Sequence, residues 1–147
     1  MAKVKIGIVV GSARRDSFSG QAARLLATML PEHLEAHTLQ IDQLPMFNQD
    51  YDDYGATPAA WQTFRQEVGE MAAYLFVTPE YNRSYPPLIK NALDIASRPY
   101  GQNAWAGKPG AVISVSPGKM GGFGANHHLR QVLSFLNVYV MQQPEVY

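Results

Sequence analysis

Five short apolar runs, separated by stretches of helical period, constrain this chain more than any other feature. Val4, Ile6, Ile8, Val9 and Val10 form a β-branched run that reads as a central strand. Leu34 to Leu39 is more polar, as expected of an edge strand, and Ala73 to Thr78, Ala111 to Ser116 and Val138 to Met141 read as the third, fourth and fifth strands. Between them lie helical patterns. Ala22, Leu25, Leu26, Met29 and Leu30 recur at i, i+3, i+4, i+7 and i+8 before Pro31 stops the helix. Thr57 reads as an N-cap with Pro58 at the first helical position, and Trp61, Phe64, Val68 and Met71 mark the face that follows. Leu88, Ala92, Leu93 and Ala96 define another helix, and Leu129, Val132, Leu133 and Leu136 the last. Strand and helix in alternation predict one α/β domain over 1–147, a doubly wound parallel sheet of order 2-1-3-4-5.

That order places the ends of the first and third strands side by side, at the carboxyl edge where open α/β sheets bind ligands. The residues at those two ends are unlike the rest of the chain. Gly11-Ser12-Ala13-Arg14-Arg15-Asp16-Ser17-Phe18-Ser19 suits a terminal phosphate. Ser12, Ser17 and Ser19 supply hydroxyls, Arg14 or Arg15 a guanidinium fork, and the helix behind them N–H groups and a positive dipole end. Thr78-Pro79-Glu80-Tyr81-Asn82-Arg83-Ser84-Tyr85-Pro86-Pro87 suits a flat ring: prolines restrict the backbone, and a Tyr-Asn turn can aim main-chain groups at a heterocycle's edge. A phosphate at one end and an aromatic ring at the other describe FMN.

On three motifs the chain resembles the NAD(P)H-dependent FMN reductase family, the flavodoxin-like group of quinone, azo-dye and chromate reductases. They are Gly11-Ser12-x-Arg14-x-x-Ser17-x-Ser19; Thr78-Pro79-Glu80-Tyr81-Asn82-x-Ser84 with Pro86 and Lys90 to Asp94; and Ser116-x-Gly118-x-x-Gly121-Gly122 leading to Leu129-Arg130. The resemblance implies FMN as cofactor and NAD(P)H as electron donor. Ser12, Arg14, Ser17, Phe18 and Ser19 would lie at the phosphate, and Pro79, Glu80, Tyr81 and Asn82 at the isoalloxazine, with a backbone N–H near N5 or O4. Ser116, Gly118, Gly121 and Gly122 would lie at the dimethylbenzene or pyrimidine edge. No catalytic side chain is expected, because the flavin itself accepts hydride and passes it on in a ping-pong sequence. Glu80 is expected to serve loop structure rather than act as an acid. The resemblance further implies a helix after the fifth strand that this chain, ending at Tyr147, does not show. The expectation is a trimmed form, with the sheet face shared by the first helix partly uncovered.

Composition closes off other classes. With 12 Lys and Arg against 12 Asp and Glu, nothing points to nucleic acid; the expected partner is a small-molecule electron acceptor. The absence of cysteine removes disulfides, thiolate metal sites and the nucleophile of a low-molecular-weight phosphatase. No apolar run reaches transmembrane length, and a cytoplasmic protein is expected. His127 and His128 are adjacent and so point about 100° apart on a helix, which disfavours a metal site. Arg130 is a candidate interface residue with Glu145 as partner. Exposed-looking residues around Asn48 to Gly55 and Tyr100 to Trp105 suit a wall contributed by a second subunit, a homodimer or homotetramer. The alternative from another class is a flavodoxin-like electron carrier; Arg14 and the neutral charge balance argue against it. A receiver domain would need acidic residues after the first strand, and a serine hydrolase a Gly-x-Ser-x-Gly elbow. Neither is present.

Overall fold

A computed structural model describes residues 2–147. The elements run β1 (Val4–Val10), α1 (Phe18–Thr28), β2 (Leu34–Thr38), α2 (Asp50–Asp53), α3 (Ala59–Glu70), β3 (Ala73–Thr78), α4 (Pro87–Ala96), β4 (Pro109–Ser114), α5 (Phe123–Phe135) and β5 (Tyr139–Val140). The five strands are all parallel in the order β2-β1-β3-β4-β5, as the alternation predicts. Among the described residues no helix is long and apolar enough to cross a membrane.

Alternation along the strands divides the core in two. Val9, Tyr74, Phe76 and Val112 face α3, α4 and α5, where Trp61, Phe64, Val68, Ile89, Leu93, Leu129 and Leu133 are buried with them. Ile8 and Val77 face the other way and pack with Ala23 of α1. On that second face Ile6, Leu75, Ile113 and Val115 are only half-buried, the partial cover that the sequence leads one to expect.

Two details differ from the sequence reading. The buried face of α1 is Ser19, Ala22, Ala23, Leu26 and Ala27, not the stripe through Leu25 and Met29, which are 62% and 68% exposed. Small residues let the helix lie close on Ile8 and Val77, and that contact sets its rotation. Thr57 does not cap α3 either. Pro58 occupies the cap position without a side-chain bond, and the Thr57 hydroxyl donates to Asp52 Oδ1 at 2.8 Å.

That second difference belongs to a wider one. The connection from Asp42 to Thr57 contains α2 and is tied down at several points. Arg65 on α3 pairs bidentately with Asp52, Nη1 to Oδ1 at 2.9 Å and Nη2 to Oδ2 at 2.6 Å, while its Nε donates to Ile95 O at 2.9 Å. Trp61 Nε1 donates to Pro45 O, and Asn91 Oδ1 accepts the Phe47 N–H at 2.7 Å. Of the residues expected to form an exposed wall, Tyr54 and Tyr100 are 81% and 93% exposed. Trp105 is instead fully buried, packed between Phe64, Tyr74 and Phe76 with its indole N–H on Leu93 O.

Candidate active site

Val10 lies opposite Val77, and Thr78 opposite Ser114, so β1, β3 and β4 end at the same level of the sheet. Backbone bonds carry the alignment past the strands: Gly11 N–H donates to Val77 O and Val115 N–H to Thr78 O, both at 2.9 Å. The three motifs therefore start as neighbours. Gly11 is where the first two touch. A Cβ there would stand 2.8 Å from Ile89 Cδ1 and 3.0 Å from Pro79 Cδ, so only glycine lets the two loops close up without displacement.

The loops enclose a cleft of about 320 Å³ lined by Ser12, Arg14, Ser17, Phe18, Ser19, Pro79, Glu80, Tyr81 and Ser116, joined by Val115 and Pro117. Nine of the residues picked from the sequence thus share one cavity. Asn82 and Gly118 do not line it. Asn82 sits at the tip of a tight turn, and the Gly118 N–H is held by Ser116 Oγ at 3.2 Å. Val115 and Pro117 were not legible as site residues, since apolar neighbours of a strand end carry no chemical signal of their own.

At the end of the cleft formed by residues 11–19, Ser17 is the N-cap of α1 and its Oγ accepts the Gly20 N–H at 2.9 Å. That bond uses a lone pair and leaves the hydroxyl proton to donate elsewhere. Ser19 Oγ is buried and has no hydrogen-bond partner in the protein, a costly state unless a ligand completes it. Arg14 is held by its Nη2 donating to Asp16 O at 3.1 Å and by the Phe18 ring, 5.6 Å from the guanidinium carbon.

At the other end, Asn82 and Arg83 both have positive φ, 51° and 69°, and the Tyr81 and Ser84 N–H groups each bond the other's carbonyl. This is a two-residue turn with both central residues left-handed, the type I′ geometry. The Tyr81 N–H is therefore already engaged, whereas the N–H of Glu80, which lines the cleft, has no partner among the described residues. The Glu80 carboxylate is held within the protein: Oε2 accepts the Ala125 N–H at 3.0 Å, and Oε1 lies 3.5 Å from Arg83 Nη1.

Gly121 and Gly122 are left-handed, φ 60° and 82°, but the close approaches they permit are not to the cleft. A Cβ on Gly121 would meet Tyr147 Cβ at 2.7 Å, and one on Gly122 would meet Ser114 Cβ at 2.8 Å. These glycines let the turn pack on β4 and the C-terminal segment. Tyr85 is buried edge-on against His128, and burial pushes its hydroxyl above the ordinary tyrosine range, with Asp94 adding to the shift. His128 Nδ1 meets Ser84 Oγ at 2.8 Å, whereas His127 stacks on Phe123 and lies 3.4 Å from Glu145 Oε2. Within the chain Arg130 bonds Asn126 and the Met141 carbonyl rather than Glu145.

Comparison with known proteins agrees with this geometry. A family model described as NADPH-dependent FMN reductase matches residues 4–147. A quinone reductase of Pseudomonas putida is 51% identical over 142 residues, covering 97% of this chain and 76% of that protein. A 2-hydroxy-1,4-benzoquinone reductase of a Burkholderia species is 48% identical over 98% of this chain and 78% of its own. Among solved structures, FerB, a flavoenzyme NAD(P)H:(acceptor) oxidoreductase from Paracoccus denitrificans, superposes with a TM-score of 0.93 at 40% identity, covering 98% of this chain and 78% of FerB.

Proposed function

The chain belongs to the NADPH-dependent FMN reductase family, and on that premise we propose that it oxidises NAD(P)H and reduces quinones or similar small acceptors with FMN in the cleft described above. The observation that carries the reading is the buried, unpartnered Ser19 hydroxyl beside Arg14 and the free Ser17 proton. Ser19 has no partner in the protein, Ser17 keeps its proton and Arg14 keeps the guanidinium N–H groups not on Asp16 O, and a phosphate group supplies the receiver for all three. The residues fit FMN at both ends: Ser12, Arg14, Ser17 and Ser19 hold the phosphate, and the Glu80 N–H, Pro79 and Tyr81 border the ring.

When bound, FMN supplies two-electron chemistry by taking hydride and giving it up to an acceptor. The chain's part is placement. Pro79 and the Tyr81–Ser84 turn fix the ring segment, Glu80 locks that segment to α5, and Phe18 and Tyr81, 52% and 48% exposed, leave the mouth of the cleft open to solvent. One open mouth requires donor and acceptor to come in turn, which is the ping-pong order. The names of the relatives favour this enzyme over an electron carrier. A homodimer or homotetramer is part of the same reading, supported by the exposed Tyr54 and Tyr100, as is a cytoplasmic location, supported by NAD(P)H as donor. Steady-state NADPH oxidation at several benzoquinone concentrations tests it: parallel double-reciprocal lines that require FMN are expected, and converging lines contradict the shared mouth.

A further inference from the structure

A second groove, of about 500 Å³, runs beside the flavin cleft. Ser12, Arg14 and Ser17 form the wall between the two, so they are contiguous across the phosphate loop. The groove follows α1 from Gly20 to Thr28, about 12 Å at the rise of a helix. Its floor is Val10, Ala23 and Ala27, and Arg15 and Arg24 stand along it. Among the described residues neither arginine has a carboxylate within 4.0 Å or a side-chain hydrogen bond, unlike Arg14, Arg65, Arg83 and Arg130. In a chain whose charges balance, 12 against 12, two unpaired guanidiniums on one groove are a local excess of positive charge.

We propose that this groove takes the adenosine end of NADPH, with Arg15 and Arg24 holding the ribose 2′-phosphate, so that the protein prefers NADPH to NADH. The assignment rests on reading the chain as an NAD(P)H-oxidising flavoprotein. Three features of the groove carry it. A guanidinium fork matches a phosphate dianion and has no comparable partner in the 2′-hydroxyl of NADH. The floor of one valine and two alanines is apolar and low, which suits the face of a purine. The shared wall lets a single dinucleotide reach from the flavin to the arginines without crossing the sheet. Arg14 stays with the FMN phosphate, so the two anion sites use different side chains.

The test uses the FMN-loaded protein and its Arg15→Gln/Arg24→Gln double variant; both side chains are exposed, so the fold is not at stake. Calorimetry with 2′,5′-ADP, 5′-AMP and inorganic phosphate reads the groove directly. The wild type is expected to bind 2′,5′-ADP about tenfold or more tighter than 5′-AMP or phosphate, and the double variant to lose that margin. In parallel, the ratio of kcat/KM for NADPH to that for NADH should fall by about tenfold or more in the variant, with FMN affinity unchanged. Equal binding of 2′,5′-ADP and 5′-AMP, a phosphate affinity matching 2′,5′-ADP, or a variant that keeps the NADPH preference overturns the assignment. Equal kcat/KM for both nucleotides in the wild type overturns the groove alone. Oxidation of neither overturns the reductase reading beneath it, and the groove assignment with it.

Discussion

Glu80 Oε2 accepts the backbone N–H of Ala125 at 3.0 Å, so the Pro79–Tyr81 wall of the cleft caps the helix that follows the third motif. Gly122, at the cap position of α5, has no side chain to do this, and Glu80 performs the task from 45 residues away. A carboxylate at a helix N-terminus is favourable for both its hydrogen bond and its charge. Replacing Glu80 with Ala is expected to cost about 1 kcal/mol of stability and to weaken FMN binding. The pH profile of kcat should not move. A lost alkaline limb in Glu80→Gln, with unchanged stability, would instead mark a general acid.

Ser19→Ala separates ligand binding from folding. Its hydroxyl is buried without a partner in the protein, so removing it should leave the melting temperature of the flavin-free chain unchanged or raised. FMN affinity should fall, by about 1.5–3 kcal/mol for a hydrogen bond to a charged phosphate. A destabilised flavin-free protein that binds FMN normally would show Ser19 to be a packing residue.

Gly124 sets a helix preference against a collision. Alanine is the better helix former by about 1 kcal/mol, but a Cβ here would lie 2.6 Å from the Arg83 carbonyl oxygen and 3.0 Å from Glu80 Oε2. Arg83 is already left-handed in a tight turn and has little freedom to retreat. Overpacking of this kind costs about 1–3 kcal/mol, so Gly124→Ala should lower the melting temperature rather than raise it, as a thermal melt would read.

The Asp52–Arg65 pair gives stability a pH dependence. Hydrogen bonding to Arg65 holds the Asp52 carboxyl below its ordinary value of 3.8, against the opposing effect of burial. A depressed folded-state value means the contribution is complete above the unfolded value and is lost as pH falls through the folded one. The side chains are only 14% and 10% exposed, so Asp52→Ala should cost about 3 kcal/mol at neutral pH. The gap between wild type and variant should hold above pH 3.8 and narrow as pH falls below it. A gap that widens in acid would contradict the pairing.

Strand order, the three loops and most of the cleft were legible because each rests on local chemistry. β-branched runs make strands, and polar residues gathered just after a strand line the cleft at its carboxyl end. What was not legible depends on rotation and on long-range partners. Leu25 and Met29 fit a helical stripe as well as Ala23 and Ala27 do, and only contact with Ile8 and Val77 chooses between them. Trp105 stands in a loop of polar and turn residues, and its burial follows from three aromatic neighbours on other elements. Gly121 and Gly122 were read as close approaches to the ring edge, and the close approaches seen within the chain are to Tyr147 and Ser114, long-range partners that no local pattern names. Arg24 carried no motif at all; its place on one groove with Arg15 follows from the path of α1 away from the loop at 11–17.

The central question is whether flavin in this cleft accepts electrons from a nicotinamide nucleotide. The measurement is an anaerobic visible spectrum of the protein reconstituted with FMN, taken before NADPH, after it, and again after a quinone. Bleaching of the bound-flavin band by NADPH and its return with quinone is the result predicted here. Bound flavin that NADPH leaves unbleached would contradict the reductase and favour an electron carrier, and a failure to bind FMN would contradict the cleft itself.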